Sequence, residues 1–335
     1  MEKVTLPLQI LGSGICLPQI SISTQKIELQ LGVGGGTLEK KVGVISRPVR
    51  SNGEDQISLG VKAAKNAIEQ SNVSLLDIDL ILFASAVGYQ SIPATAPLIM
   101  RGLNIKSGQA AAFDVNSTCL SFVTALDMAA CFLNSKRYKT ILIVSSEIAS
   151  MALPWHDDAE TAALFGDGAA AMVVSSSEDA SQGISAASMA TWPEGYEHCQ
   201  LGAGGTRFNP QDKNSGFNEN VFFRMQGKAV FRQVRDHFNR FISDLLEKAG
   251  WHADDIDVVV PHQASPLGLA HIIKMAPFKN AKFINILANH GNQISASIPI
   301  AFHHGLENGL IKRGSKVLLI GTSAGLSIGG ILLKF

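Results

Sequence analysis

Apolar positions along the chain fall into two recurrent patterns. Four stretches repeat them at helical spacing, from Gln56 to Gln70, Leu120 to Leu133, Val230 to Lys248 and Ser295 to Leu306. Between these lie short runs with no polar alternation, Leu80–Ala84, Ile141–Ser145, Val258–Pro261 and Val317–Ile320. A strand apolar on both sides needs cover on both sides, so these runs predict sheets with helices on each face. Strands alternating with helices of this length predict an α/β protein.

The pattern also repeats. IEQSNVSLLDIDLILFAS, starting at Ile68, is echoed by LEKAGWHADDIDVVVPHQ, starting at Leu246, an offset of 178 residues. The strand beginning at Ile141 is echoed by the one at Val317, an offset of 176. Each half closes on a glycine-punctuated run, FGDGAAAMVV from Phe165 and GTSAGLSIGGILLKF from Gly321. The chain therefore divides into two similar halves, residues 1–177 and 178–335. The polar, glycine-rich stretch from Thr191 to Asn220 has no periodicity and is too long for an ordinary connection, which predicts a functional loop or cover.

Composition narrows the function. Lys+Arg and Asp+Glu both number 28, which removes the basic field of a nucleic-acid binder. Charged residues make up 17%, below the roughly 25% of an average domain, so part of the surface is expected to be covered by an oligomeric partner or interdomain contact. The run MEKVTLPLQILGSGICLP lacks the features of a secretion signal, and no stretch approaches 18 uninterrupted apolar residues. A soluble, cytoplasmic protein without a membrane partner is expected. Cys16, Cys119, Cys131 and Cys199 lack metal or redox spacing, so neither a metal nor a disulfide framework is expected.

Three residues carry candidate chemistry. Cys119, in NSTCLSF, follows a short apolar strand and precedes a helix start; backbone N–H groups and the helix dipole there favour a thiolate. Such a cysteine is either a nucleophile or a small buried hydrophobe. His262, in VVVPHQAS, ends a buried strand where α/β proteins place ligands, at the repeat's counterpart of Ala84. Asn292, in ANHGNQISASIP, is a helix cap by type and falls at an offset of 173 from Cys119, which reads as its counterpart in the second half. Lys228, Arg232 and Arg235 share one side of a helix and form a modest basic patch.

Taken in order, NSTCLSF, FGDGAAAMVV, VPHQA, HGNQISASIP and GTSAGLSIGG resemble the thiolase-superfamily condensing enzymes, in particular the β-ketoacyl-ACP synthase III family. The resemblance implies a duplicated thiolase-like fold of five αβαβα layers, a homodimer, and condensation of an acyl thioester with malonyl-ACP. It needs no cofactor beyond its acyl-CoA or acyl-carrier-protein substrates. It implies that Cys119 is acylated, that His262 and Asn292 bond the malonyl thioester oxygen, and that the backbone N–H groups of Cys119 and Ala324 form an oxyanion hole. By the same resemblance Lys228, Arg232 and Arg235 offer a surface to the carrier protein. Ile92 stands where the family has a bulky aromatic closing the partner's acyl tunnel, which implies a longer primer. The family's loop asparagine and arginine are replaced by Ser265 and Leu267, its tryptophan by Thr37, and its two arginines by Lys41 and Ala159. These changes point to a specialised relative. A transferase or thioesterase that keeps the cysteine–histidine pair without decarboxylation, and a non-catalytic subunit of a heterodimeric synthase, are the other readings.

Overall fold

In the computed structural model the apolar runs pair into two sheets of the same design. It describes residues 6–212 and 216–335; the first five residues of the N-terminal run and three of the Thr191–Asn220 stretch lie outside them. In the first sheet Leu80–Ala84 runs parallel to both Ala111–Val115 and Thr140–Glu147. Gly168–Ser175 and then Gln9–Cys16 continue it antiparallel. In the second sheet Val258–Pro261 runs parallel to Lys282–Phe283 and Lys316–Ser323, and Ser327–Lys334 and Gly183–Thr191 continue it antiparallel. The sheets exchange one piece of chain: Leu6–Pro7 adds an edge to the second sheet by pairing with Gly183 and Ile184.

The layers follow from which apolar faces meet. Ile81, Phe83, Leu142 and Val144 face outward onto Leu59, Ala63 and Ala67 of helix Gln56–Ser71. Leu80, Leu82, Ile141 and Ile143 face inward, with Leu126 and Leu133 of helix Ser121–Asn134 and Phe302 of helix Ser297–Glu307 in the same core. Val258, Val260, Val317 and Leu319 close that core from the other sheet. Val259, Leu318 and Leu332 then pack outward against Phe241, Ile242 and Leu245 of helix Gly227–Ala249. Both sheets are thus covered on both faces, as the unbroken apolar runs require. The result is five layers, αβαβα, with the central pair of helices shared.

Candidate active site

The first catalytic candidate sits on a strained turn. Strand Ala111–Val115 ends at Asn116, whose Oδ1 accepts the Thr118 N–H at 2.9 Å and whose Nδ2 donates to the Ala86 carbonyl at 2.8 Å. The Ser121 hydroxyl accepts the Ser117 N–H at 3.0 Å and donates to the Thr118 carbonyl at 2.7 Å. These bonds hold Thr118 at φ 53°, a left-handed conformation that costs a β-branched residue on the order of 1–3 kcal/mol. A single short turn, Thr118–Leu120, leads into helix Ser121–Asn134. Cys119 is presented at its middle, partly accessible, where the backbone N–H groups of Cys119 and Ala324 act to lower the pKa of its thiol.

The second turn repeats this construction. Asn292 Oδ1 accepts the Ile294 N–H at 2.8 Å, Asn292 Nδ2 donates to the Ala264 carbonyl at 3.3 Å, and Ile294 lies at φ 50°. A short turn, Ile294–Ala296, leads into helix Ser297–Glu307. The counterpart of Asn292 is therefore Asn116, at an offset of 176, and that of Cys119 is Ser295. The expected equivalence of Asn292 with Cys119 is corrected: motif spacing alone had missed the register by three residues, whereas the paired side-chain bonds define it. The FGDG motif supports this second turn. Asn292 N–H donates to Leu164 at 2.7 Å, Gly166 N–H donates to Asn292 at 3.1 Å, and Gln293 Nε2 donates to Asp167 at 2.9 Å, all to carbonyls.

His262 reaches the site from the end of Val258–Pro261. Its N–H donates to the Ile320 carbonyl at 2.8 Å, and its Nδ1 lies 2.6 Å from the Ser297 Oγ. That Oγ also receives the Gln263 N–H at 3.4 Å and lies 2.9 Å from the Ile294 carbonyl. The Ser297 hydroxyl has one proton: given to Nδ1 it leaves the imidazole proton on Nε2, and given to the Ile294 carbonyl it leaves that proton on Nδ1. Gly321 permits the approach of the two halves: a Cβ there would fall 2.8 Å from the His262 Cβ and 3.1 Å from Leu120 Cδ2. His262 is thus packed beside the Cys119 turn, and through Ser297 and Ala264 beside the Asn292 turn.

Electrostatics run against one expectation. Burial pushes the Cys119 thiol up to about 12, and the neighbouring Cys199 and Glu147 add to the rise; the two backbone N–H groups lower it but are outweighed. The expected stabilisation of the thiolate is therefore present in kind and overcome in size, because desolvation penalises a charge more than two amide dipoles repay. Burial holds His262 down at about 4, so its imidazole is neutral near pH 7. Glu147, fully buried, is pushed up to about 7 by the same cause.

Other candidates lie outside this cluster. Ile92 is 85% exposed, and the neighbouring Ser91 hydroxyl donates to the Gly204 carbonyl in the Thr191–Asn220 stretch. Lys228, Arg232 and Arg235 are exposed on helix Gly227–Ala249, with Arg235 paired to Asp236 at 2.8 Å. Ser265 caps helix Pro266–Met275 by accepting the Gly268 N–H, and Leu267 is 77% exposed. Lys41 pairs with Glu160 at 2.5 Å. Cys16 is buried and Cys131 is exposed, each away from the turns. Sequence reasoning missed Glu147 and Ser297, and named Cys199 without placing it beside Cys119. The repeat offset of 176 would have pointed to Ser295 and Ser297, but nothing local marks Cys199 or Glu147.

Comparison with known proteins agrees along the whole chain. Residues 113–193 match the family model of 3-oxoacyl-[acyl-carrier-protein (ACP)] synthase III, and residues 246–335 match the model of its C-terminal part. The β-ketoacyl-[acyl-carrier-protein] synthase III of Clostridium acetobutylicum is 30% identical over 328 residues, covering 98% of both chains. That of Aquifex aeolicus is 32% identical over 329 residues, covering 98% of this chain and 99% of the relative. The crystal structure of the 3-oxoacyl-[acyl-carrier-protein] synthase III from Aquifex aeolicus superposes with a TM-score of 0.86, covering 98% of this chain and all of that one.

Proposed function

The chain belongs to the β-ketoacyl-ACP synthase III family, and on that premise we propose that Cys119 carries the acyl group while an acyl thioester primer is condensed with malonyl-ACP. The observation that carries this reading is the placement of Cys119 at the middle of the strained Thr118–Leu120 turn, beside the Ala324 loop, where the backbone N–H groups of Cys119 and Ala324 favour charge on the sulfur. In the first stage the Cys119 thiol gives up its proton as its sulfur attacks the primer carbonyl, a new carbon–sulfur bond forms, the bond to the primer's carrier breaks, and the carrier leaves as a thiol that has taken up that proton. The tetrahedral oxyanion is stabilised by those two N–H groups. In the second stage the malonyl carboxylate leaves as carbon dioxide and its electron pair passes into an enolate. His262, neutral and donating from Nε2, and Asn292, donating from Nδ2, hold the enolate oxygen. The enolate carbon then attacks the acyl group, the Cys119 thiolate departs, and a β-ketoacyl thioester is released.

The finer assignments follow the same reading. Residues 1–177 supply the nucleophile and residues 178–335 the donors. A second copy of the chain supplies Ile92 to its partner's acyl tunnel, a longer primer on CoA or carrier protein is accepted there, and Lys228, Arg232 and Arg235 meet the carrier protein. Incubation with acyl-CoAs and malonyl-ACP followed by intact-protein mass measurement tests the core of this. An acyl adduct on Cys119 with carbon dioxide release is expected; an adduct without release, or none, overturns it.

A further inference from the structure

Glu147 is a fully buried carboxyl at the end of strand Thr140–Glu147, placed between the two turns. Its Oε1 accepts the Ala86 N–H at 2.7 Å and the Ser295 hydroxyl at 2.5 Å. Ala86 is the residue whose carbonyl anchors Asn116, and so the Cys119 turn. Ser295 stands three residues after Asn292, where Cys119 stands in the other half. A single carboxyl oxygen therefore ties the nucleophile's turn to the donors' turn. Resting on the acyl-enzyme reading above, we propose that Glu147 is a positioning residue for condensation: it clamps the Asn292 turn against the Cys119 turn, and its buried charge acts on the Cys119 thiol.

A mere staple across the halves would do as well with apolar side chains, which bury without the cost of desolvating a carboxyl. The carboxyl adds a charge that changes with pH. Burial places its titration at about 7, so both forms are populated near neutrality. Once ionised it opposes a second negative charge on Cys119; protonated, it does not. The other groups facing this pair are Cys199, which also opposes the thiolate, and Asp167, which opposes ionisation of Glu147 and is bonded by Ser150 and the Arg50 backbone. His262, neutral at these pH values, adds no charge.

The test is the pH profile of Cys119 alkylation by iodoacetamide in the full chain, with the label mapped by peptide to separate Cys119 from Cys199. Glu147→Gln keeps an acceptor oxygen and removes the charge. Its alkylation midpoint is expected to fall by roughly half a pH unit or more, about a threefold faster reaction at a fixed pH below both midpoints. Glu147→Ala and the milder Ser295→Ala are expected to lose at least about tenfold more in condensation than in self-acylation, because misplacing donors by an ångström costs that much and more. An unchanged midpoint in Glu147→Gln overturns the proposal. So does an equal loss of both stages in Ser295→Ala, which would leave Glu147 a purely structural residue. Alkylation needs no substrate, so failure of the unmodified protein to condense would refute the functional reading while the midpoints still decide the role of Glu147.

Discussion

In the first half an asparagine turn at Asn116 leads through left-handed Thr118 into helix Ser121–Asn134; in the second, one at Asn292 leads through left-handed Ile294 into helix Ser297–Glu307. Backbone, side-chain bonds and helix starts correspond at an offset of 176. The residue displayed does not. Cys119 is partly accessible on a turn whose Thr118 hydroxyl reaches the Ala324 carbonyl, whereas the Ser295 hydroxyl donates inward, with Glu147 at 2.5 Å and the Ala84 carbonyl at 3.0 Å. The strand ends differ in the same way, since His262 in the second half answers to Ala84 in the first. Duplication thus supplied two equivalent scaffolds filled unequally, a cysteine on one and a serine with a neighbouring asparagine and histidine on the other, and on the proposed reading this inequality supplies the chemistry.

Making the turns more alike should therefore destroy activity. Cys119→Ser, which copies Ser295, is expected to abolish acyl transfer while leaving the fold intact, read by the absence of an adduct in the intact mass and an unchanged far-UV spectrum. A smaller effect separates the two asparagines. Asn292→Ala, like His262→Ala, should cost condensation roughly a hundredfold to a thousandfold while self-acylation persists, since on the proposed reading each removes a donor aimed at a developing enolate. Asn116→Ala removes only turn bonds and should cost about 1 kcal/mol of stability, read by denaturant unfolding. If Asn116→Ala proves as damaging to condensation as Asn292→Ala, the asymmetry proposed here fails.

On the proposed reading Ile92 extends the comparison to a second copy of the chain. Each buried methylene contributes about 0.8 kcal/mol, so a primer three carbons longer than acetyl would gain up to about 2.4 kcal/mol, or about fiftyfold, if isoleucine leaves the proposed tunnel open. Ile92→Phe should reverse the preference, measured as kcat/KM for acetyl through dodecanoyl thioesters; acetyl leading in the unmodified protein would place the tunnel wall elsewhere.

The smallest effect lies in the pH dependence of stability. His262 titrates lower folded than unfolded, so the folded state is favoured above about pH 6.5 and this contribution is lost as pH falls toward 4. Glu147 titrates higher folded than unfolded; its contribution is present at low pH and is lost as pH rises toward 7. Over the shared window the two oppose one another. Glu147→Gln should therefore make the fall of Tm between pH 6.5 and 5 steeper than in the unmodified protein. A parallel pair of Tm curves would show that Glu147 does not titrate there.

Much of this organisation is legible in the chain because it depends on local pattern. Two-sided apolar runs located Leu80–Ala84 and Val258–Pro261 to the residue, and helical spacing found the four long helices within three residues at each end. The strand-to-helix position singled out Cys119, and the strand end singled out His262. Tertiary structure decided the rest, because it depends on distances between residues far apart in sequence. Only the fold makes Asn116 the partner of Asn292, places Ser297 on the His262 ring, and buries Glu147 between two turns. It also reverses the electrostatic reading of Cys119. Dipoles and N–H groups near a helix start are local and can be read from sequence, but desolvation is set by everything that packs around the sulfur.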